Sequence, residues 1–395
     1  MDASSVPAER EHGLDALRVF AFGLLIVYHS CMAYVSWPWL INDPSGGHAL
    51  EPLLLGLNRW RLPLLFFVSG AAATLSLRRR SWLQFAHERA QRLFLPLGVG
   101  TFLICPPQTW VERRVHGHAI SYLDLYHSIL VPAPTGTMNW IHLWFVGYVL
   151  VFSIAGLPLL MLIRSTTGRR TIEAAAGVCV RWRPAIYLMA LPSALVAGVL
   201  GPRWPTTYDL VSDWANLCAG LVMFLWGFAL ACSNTWLDLV TARRREFVMV
   251  GLSVAGLFFS ARASGLVERL SPGVQTAFWS SVNSAYAITW ILALVGYARV
   301  WFREPRAWLR AANRAVYPFY ILHQTVTVVA AYLLLSWSVT CWVKLPLVAT
   351  ATFLVSWGAY EIIKRVRWMR PLFGLRSRAE GEIAQLSLAP TSPAG

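Results

Sequence analysis

Charge is what this chain has least of. Only 13% of its 395 residues are Asp, Glu, Lys or Arg, about half the share found in a soluble domain. Acid is scarcer still, with 19 Asp and Glu against 34 Lys and Arg. So little charge excludes a soluble globular surface. The 56% of hydrophobic residues and the mean hydropathy of +0.51 point instead to a polytopic membrane protein. The net charge of +15 does not indicate nucleic acid, because the Arg residues sit between apolar runs. They read as topology signals and contacts to membrane lipids. Cysteine pairing is missing too. Cys31, Cys105, Cys179, Cys218, Cys232 and Cys341 are scattered, and no two have metal-ligand or redox spacing. They read as small packing residues, and no metal is expected. No cleavable signal peptide is evident, since the first apolar run has full span length and no small-residue cleavage site. No tandem repeat and no second soluble domain are seen.

What the chain does have is long apolar runs. About ten are long enough to cross a bilayer: 14–36, 52–76, 93–111, 140–163, 184–201, 211–232, 247–266, 278–301, 317–338 and 342–363. The expected fold is all-α, a polytopic transmembrane helix bundle of about 10 spans. Arg and Lys then alternate between the loops. Even-numbered spans are followed by basic clusters: Arg78 to Arg92, Arg164 to Arg183, Arg243 to Arg245, Arg303 to Arg314, and Lys364 to Arg378. The intervening loops carry few basic residues: Arg113 and Arg114 in one, Lys344 in the last. By the positive-inside rule both termini are cytoplasmic. The expected domains are a polar N-terminal segment (1–13), a transmembrane domain (14–370) and a disordered cytoplasmic tail (371–395).

The first run, LDALRVFAFGLLIVYHSCMAYV, carries Asp15, Arg18 and His29. Arg18 and His29 are separated by close to three whole helical turns, so both point from one face, roughly 16 Å apart along the axis. A titratable group inside a membrane costs several kcal/mol unless it faces a polar interior. Two readings stay open. The stripe is a structural polar seam, or it is a reaction path with His29 at its deep end. His29 lies about 22 Å from the start of its helix. That is past the middle of a roughly 30 Å hydrocarbon core, toward the outer side.

Other candidates follow along the chain. Arg59 and Arg61 interrupt the second span, and either faces the interior or reaches toward head groups. Ser69-Gly70 and the three Ala after it suggest close helix packing; no base lies near Ser69 to make it a nucleophile. Arg89 and Arg92 share a helical face where the third span enters the membrane, and a pair of guanidinium forks there suits a phosphate group. Plain positive-inside charge explains them as well. The outer loop 107–139 holds His116, His118, Tyr122, Asp124, Tyr126 and His127. Its His-x-His pair has no fixed third metal ligand. His142 opens the fourth span beside Asn139 and Trp140, as a substrate contact or an interfacial residue. His323 lies in the ninth span, as a cofactor contact or a helix–helix hydrogen bond. Spans five to eight read as scaffold, with Trp214, Asn216, Asn283 and Tyr286 unassigned.

Taken together and in order, several of these pieces resemble the acyltransferase type 3 family of integral membrane O-acyltransferases. They are LDALRVFAFGLLIVYHS with Arg18–x10–His29, PLLFFVSG at 63–70, Arg89-Ala-Gln-Arg92, HLWFVGYVL from His142 and YPFYILHQT from Tyr317. Within the family the chain looks most like the glucan-biosynthesis branch. NRWRLP stands where the common form has a Gly-rich, Asp-containing lead-in. The resemblance implies an enzyme of a bacterial inner membrane. It would move an acetyl or succinyl group from cytoplasmic acyl-CoA to a hydroxyl of a periplasmic or cell-surface glycan. It also implies catalytic roles for His29 and Arg18 and acyl-CoA binding by Arg89 and Arg92. His323 is assigned to the cofactor, and Asp15, Arg61 and His142 to the substrate. The alternative class is a secondary transporter or glycan exporter, since midplane polar residues suit transport as well.

Overall fold

The computed structural model describes residues 11–78, 80–130 and 140–375. Arg79, Asn139, the start of the N-terminal segment and the tail from Arg376 lie outside the described residues. The regular structure is helical: α1 (His12–Met32), α2 (Glu51–Leu77), α3 (Trp82–Val99), α4 (Pro106–Val115), α5 (Tyr122–Leu130), α6 (Trp144–Ile154), α7 (Leu157–Arg164), α8 (Thr166–Arg181), α9 (Leu191–Leu200), α10 (Trp214–Ala231), α11 (Asn234–Ala242), α12 (Arg244–Ser264), α13 (Pro272–Trp301), α14 (Ala307–Leu334) and α15 (Cys341–Arg365). No strand occurs among the described residues. The protein is an all-α polytopic bundle.

Eight helices among the described residues are long and apolar enough to cross a membrane. α6 and α7, bent by 55°, make a ninth if counted as one span. The expectation of about ten differs at 93–111, which is not one helix. α3 ends at Val99, a π-helical turn spans Gly100–Ile104, and α4 begins at Pro106. Pro106 and Pro107, which carry no N–H, occupy the first two positions of α4, where no intrahelical donor is needed.

The chain forms two compact units. The first comprises Met1–Leu24, Glu51–Ala86 and Val151–Asn313. At its centre α2 and α10 touch backbone to backbone. A Cβ on Gly70 would lie 1.8 Å from the Phe224 carbonyl oxygen, and one on Gly227 would lie 1.8 Å from that of Phe67. Only glycine fits at either position. The reciprocal approach is the small-residue packing that Ser69-Gly70 suggests, since dispersion between close backbones is the main attraction available in lipid. Thr74 Oγ1 donates to Phe228 O at 2.8 Å across the same contact.

The second unit comprises Leu25–Leu50, His87–Leu150 and Arg314–Gly395. Tyr34, Ile41, Val328 and Val348 anchor one of its cores. Beside that core Asp43 and Lys344 form an ion pair at 2.7 Å, each side chain only 2% exposed. Lys344, which the loop pattern treats as a topology charge, is buried instead.

Candidate active site

The site lies within the second unit and gathers three histidines. α1 supplies His29, α14 supplies His323, and the turn before α6 supplies His142. His29 Nδ1 is 2.9 Å from His323 Nε2, with ring centroids 5.1 Å apart and nearly parallel. The ring of His142 stands edge-on to that of His323, with centroids 5.3 Å apart. Trp39, from the loop after α1, stacks against His29 at 6.2 Å. His323 and His142 are buried, and His29 is half-buried.

Backbone carbonyls fix the tautomers. His323 Nδ1 is 2.7 Å from Tyr320 O. A carbonyl only accepts, so Nδ1 carries the proton and the neutral ring offers Nε2 as an acceptor. His29 then donates from Nδ1, which leaves the lone pair of its neutral ring on Nε2. By the same logic His142 donates from Nε2 to Ile321 O at 3.1 Å. Its Nδ1 faces Gln108 Nε2 at 3.5 Å. Gln108 also donates to Thr325 Oγ1 at 2.6 Å, and Thr325 donates to Ile104 O at 2.7 Å. That carbonyl closes the π turn. A π turn inside an α-helical run often marks a functional site.

Backbone strain sits beside the cluster. Ile141 adopts φ +43°, an unfavourable conformation for a β-branched residue, costing on the order of 1–3 kcal/mol. The Tyr320 hydroxyl donates to the carbonyl of the next residue, His142, and so holds the turn. The chain therefore stores strain where His142 is presented to the other two rings.

The remaining expected residues fall elsewhere. Arg89 and Arg92 are in the second unit on α3, Arg89 half-buried and Arg92 exposed. Arg92 Nη2 donates to Gly374 O at 3.4 Å. Asp15 and Arg18 are half-buried in the first unit, and Asp15 accepts from Asn313 Nδ2 at 2.7 Å. Arg61 is also in the first unit, 4% exposed, with Nη2 3.4 Å from Asn58 Oδ1. It faces the interior and not the head groups. Among the described residues no three His, Cys, Asp or Glu side chains converge on a metal position. Sequence reasoning missed Trp39, Gln108, Tyr320 and Thr325. Tyr320 and Thr325 left a trace, both lying within the YPFYILHQT stretch, and Tyr320, three residues before His323, shares its helical face.

An all-α polytopic bundle in which three histidine rings stand against one another is a membrane protein with a candidate acid–base site. The chain belongs to the acyltransferase-3 family, whose model, described as an acyltransferase domain, matches residues 11–361. That family is made up of O-acyltransferases. Among curated proteins it is similar to Glucans biosynthesis protein C of Escherichia coli K12, 27% identical over 153 residues. The proteins of that name from E. coli O157:H7 and O9:H4 match to the same extent. The match covers 38% of this chain and 38% of those relatives. No solved structure matches.

Proposed function

We propose that the protein transfers an acyl group, acetyl or succinyl, from cytoplasmic acyl-CoA to a hydroxyl of a periplasmic or cell-surface glycan. The proposed setting is a bacterial inner membrane. His29 is the general base. Its Nε2 takes the proton of the acceptor hydroxyl as the oxygen attacks the thioester carbonyl. The C–S bond breaks, and the leaving thiolate takes that proton back from the imidazolium. His323 positions His29 by accepting from Nδ1. Arg89 and Arg92 hold the phosphates of the donor. Arg18, three turns before His29 on α1, with Asp15 beside it, balances charge along the donor's path. His142 contacts the acceptor.

The observation that carries this reading is the 2.9 Å contact between His29 Nδ1 and His323 Nε2. With His323 anchored on a carbonyl, that contact leaves the base lone pair of His29 on Nε2. The glycan acceptor rests on the name of the relatives, and the donor on the resemblance. The test is thioester consumption. Purified protein with acyl-CoA and a glucan acceptor releases free CoA and acylated glycan. His29→Ala should lower the rate by about 10²–10⁴ at unchanged protein level and membrane insertion. Glycan acylation at the normal rate in that variant overturns the assignment.

A further inference from the structure

Three basic side chains of the first unit converge at one end of its helices. Arg78 follows α2, Arg164 ends α7, and Arg169 lies near the start of α8. Arg78 Nη2 donates to Ala231 O and Arg164 Nη1 to Leu77 O, both at 2.7 Å. Arg169 Nε donates to Arg164 O at 3.0 Å. The acceptors belong to the last residues of α10, α2 and α7. These bonds link the guanidiniums into one group around Cys232, the residue after α10, near enough for each charge to act on its thiol. The turn between α7 and α8 brings Arg169 back to the group. Ser165 Oγ caps α8 by accepting from Gly168 N at 3.0 Å, and a Cβ on Gly168 would lie 2.3 Å from Leu162 O.

Helix capping does not account for so much charge. Each guanidinium spends one bond on a carbonyl, although the group carries five N–H donors. None of the three has an acidic partner among the described residues. A helix C-terminus supplies about half a negative charge, so three of them offset about half of the arginines' charge and leave roughly one to two positive charges. Arg78 and Arg169 are exposed and Arg164 is half-buried, so a ligand can reach them. Just before Arg164, α7 turns Leu159 and Leu162 outward, 42% and 62% exposed. An open apolar strip therefore runs up to the basic group.

We propose that these three arginines bind the phosphate of an anionic membrane lipid, with its acyl chains along the exposed face of α7. Guanidinium forks match phosphate oxygens. A phosphodiester without a cationic head group brings the negative charge that the helix ends do not supply. A zwitterionic head group would return a positive charge to a site already in excess. A free phosphate would meet the same donors and leave the α7 strip uncovered. One lipid would thus join the ends of α2, α7 and α10 and the start of α8. All of these lie in the first unit, so the site is separate from the histidine cluster.

Native mass spectrometry of the full chain in a nonionic detergent, titrated with dioleoyl phosphatidylglycerol, tests this directly. One lipid should bind saturably, at least about fivefold tighter than dioleoyl phosphatidylcholine, and should raise the melting temperature. Arg164→Gln should weaken the first phosphatidylglycerol by about tenfold, one charge-assisted bond being lost. Arg78→Gln with Arg169→Gln should abolish the preference over phosphatidylcholine. Arg203→Gln, in the loop at the other end of α10, removes the same charge and should change nothing. Size-exclusion profile and melting temperature report whether each variant folds. If Arg164→Gln does not fold, Arg169→Gln, at an exposed side chain, carries the test. Equal affinity for the two lipids, a folded double variant that keeps the preference, or an equal loss in Arg203→Gln overturns the proposal. So does displacement of the lipid by inorganic phosphate or CoA at equal concentration, which would mark a site for a soluble phosphate. None of these results bears on His29, whose test is glycan acylation.

Discussion

His323 Nδ1 sits 2.7 Å from the carbonyl oxygen of Tyr320, one helical turn earlier on the same helix. That contact ties the tautomer of His323 to the backbone and, through it, the tautomer of His29.

Replacing His323 therefore separates two roles. As the positioning group for His29, His323→Ala should lower kcat by about 10- to 100-fold, with little change in KM for acyl-CoA, and should alter the pH–rate profile. A residue that binds the donor would raise that KM instead. Steady-state kinetics over a range of pH values decides between them. His323→Gln, which keeps an acceptor near His29, should recover part of the loss.

Arg89 and Arg92 read as donor ligands, and their removal should affect one substrate and not the other. Arg89→Gln with Arg92→Gln should raise KM for acyl-CoA by about tenfold or more, two charge-assisted hydrogen bonds being lost. KM for the glycan should stay near its parent value. Direct binding measurements with each substrate check this. Equal loss for both would mark a folding defect.

The pair Asp43–Lys344 is buried on both sides. Lys344→Met strands a carboxylate, so it should destabilise the second unit by about 3–5 kcal/mol. Adding Asp43→Asn removes the stranded charge and should restore a large part of that loss. Thermal melts of the single and double variants in one detergent read out the coupling.

Asp209, in the loop before α10, gives a pH signature. The Ser212 hydroxyl and the backbone amides of Ser212 and Val211 bond its carboxylate and hold its pKa well below the usual carboxylate range. A depressed folded pKa stabilises the fold above the ordinary carboxylate value of about 4 and loses that contribution as pH falls. Asp209→Ala should melt slightly below the parent at neutral pH, the group being only half-buried and partly screened by solvent. The gap should close progressively below about pH 4.

The amino-acid sequence by itself determined the architecture. Apolar runs of span length can only be helices in a bilayer, because each backbone polar group must be satisfied within its own segment. That physics is local, so the helices at α1, α2, α10 and α12 to α15 fall close to the expected runs. Gly70 was legible as a packing residue, since a small side chain inside a span has few other uses. Its partner Gly227 was not, because reciprocity is a property of two helices.

The expected third span shows where local reading stops. Its composition is apolar enough, yet a π turn over Gly100–Ile104 and a new helix from Pro106 stand where one α-helix was expected. His29 stood out in the sequence because a titratable group in a span is costly. Its pairing with His323, almost three hundred residues later, carries no sequence period, and Gln108 carried no signal at all. Likewise Lys344 read as a loop charge until Asp43 was found beside it. A residue's cost in the membrane is written in the chain. The partner that offsets that cost is decided only when helices distant in sequence are brought within 3 Å of one another.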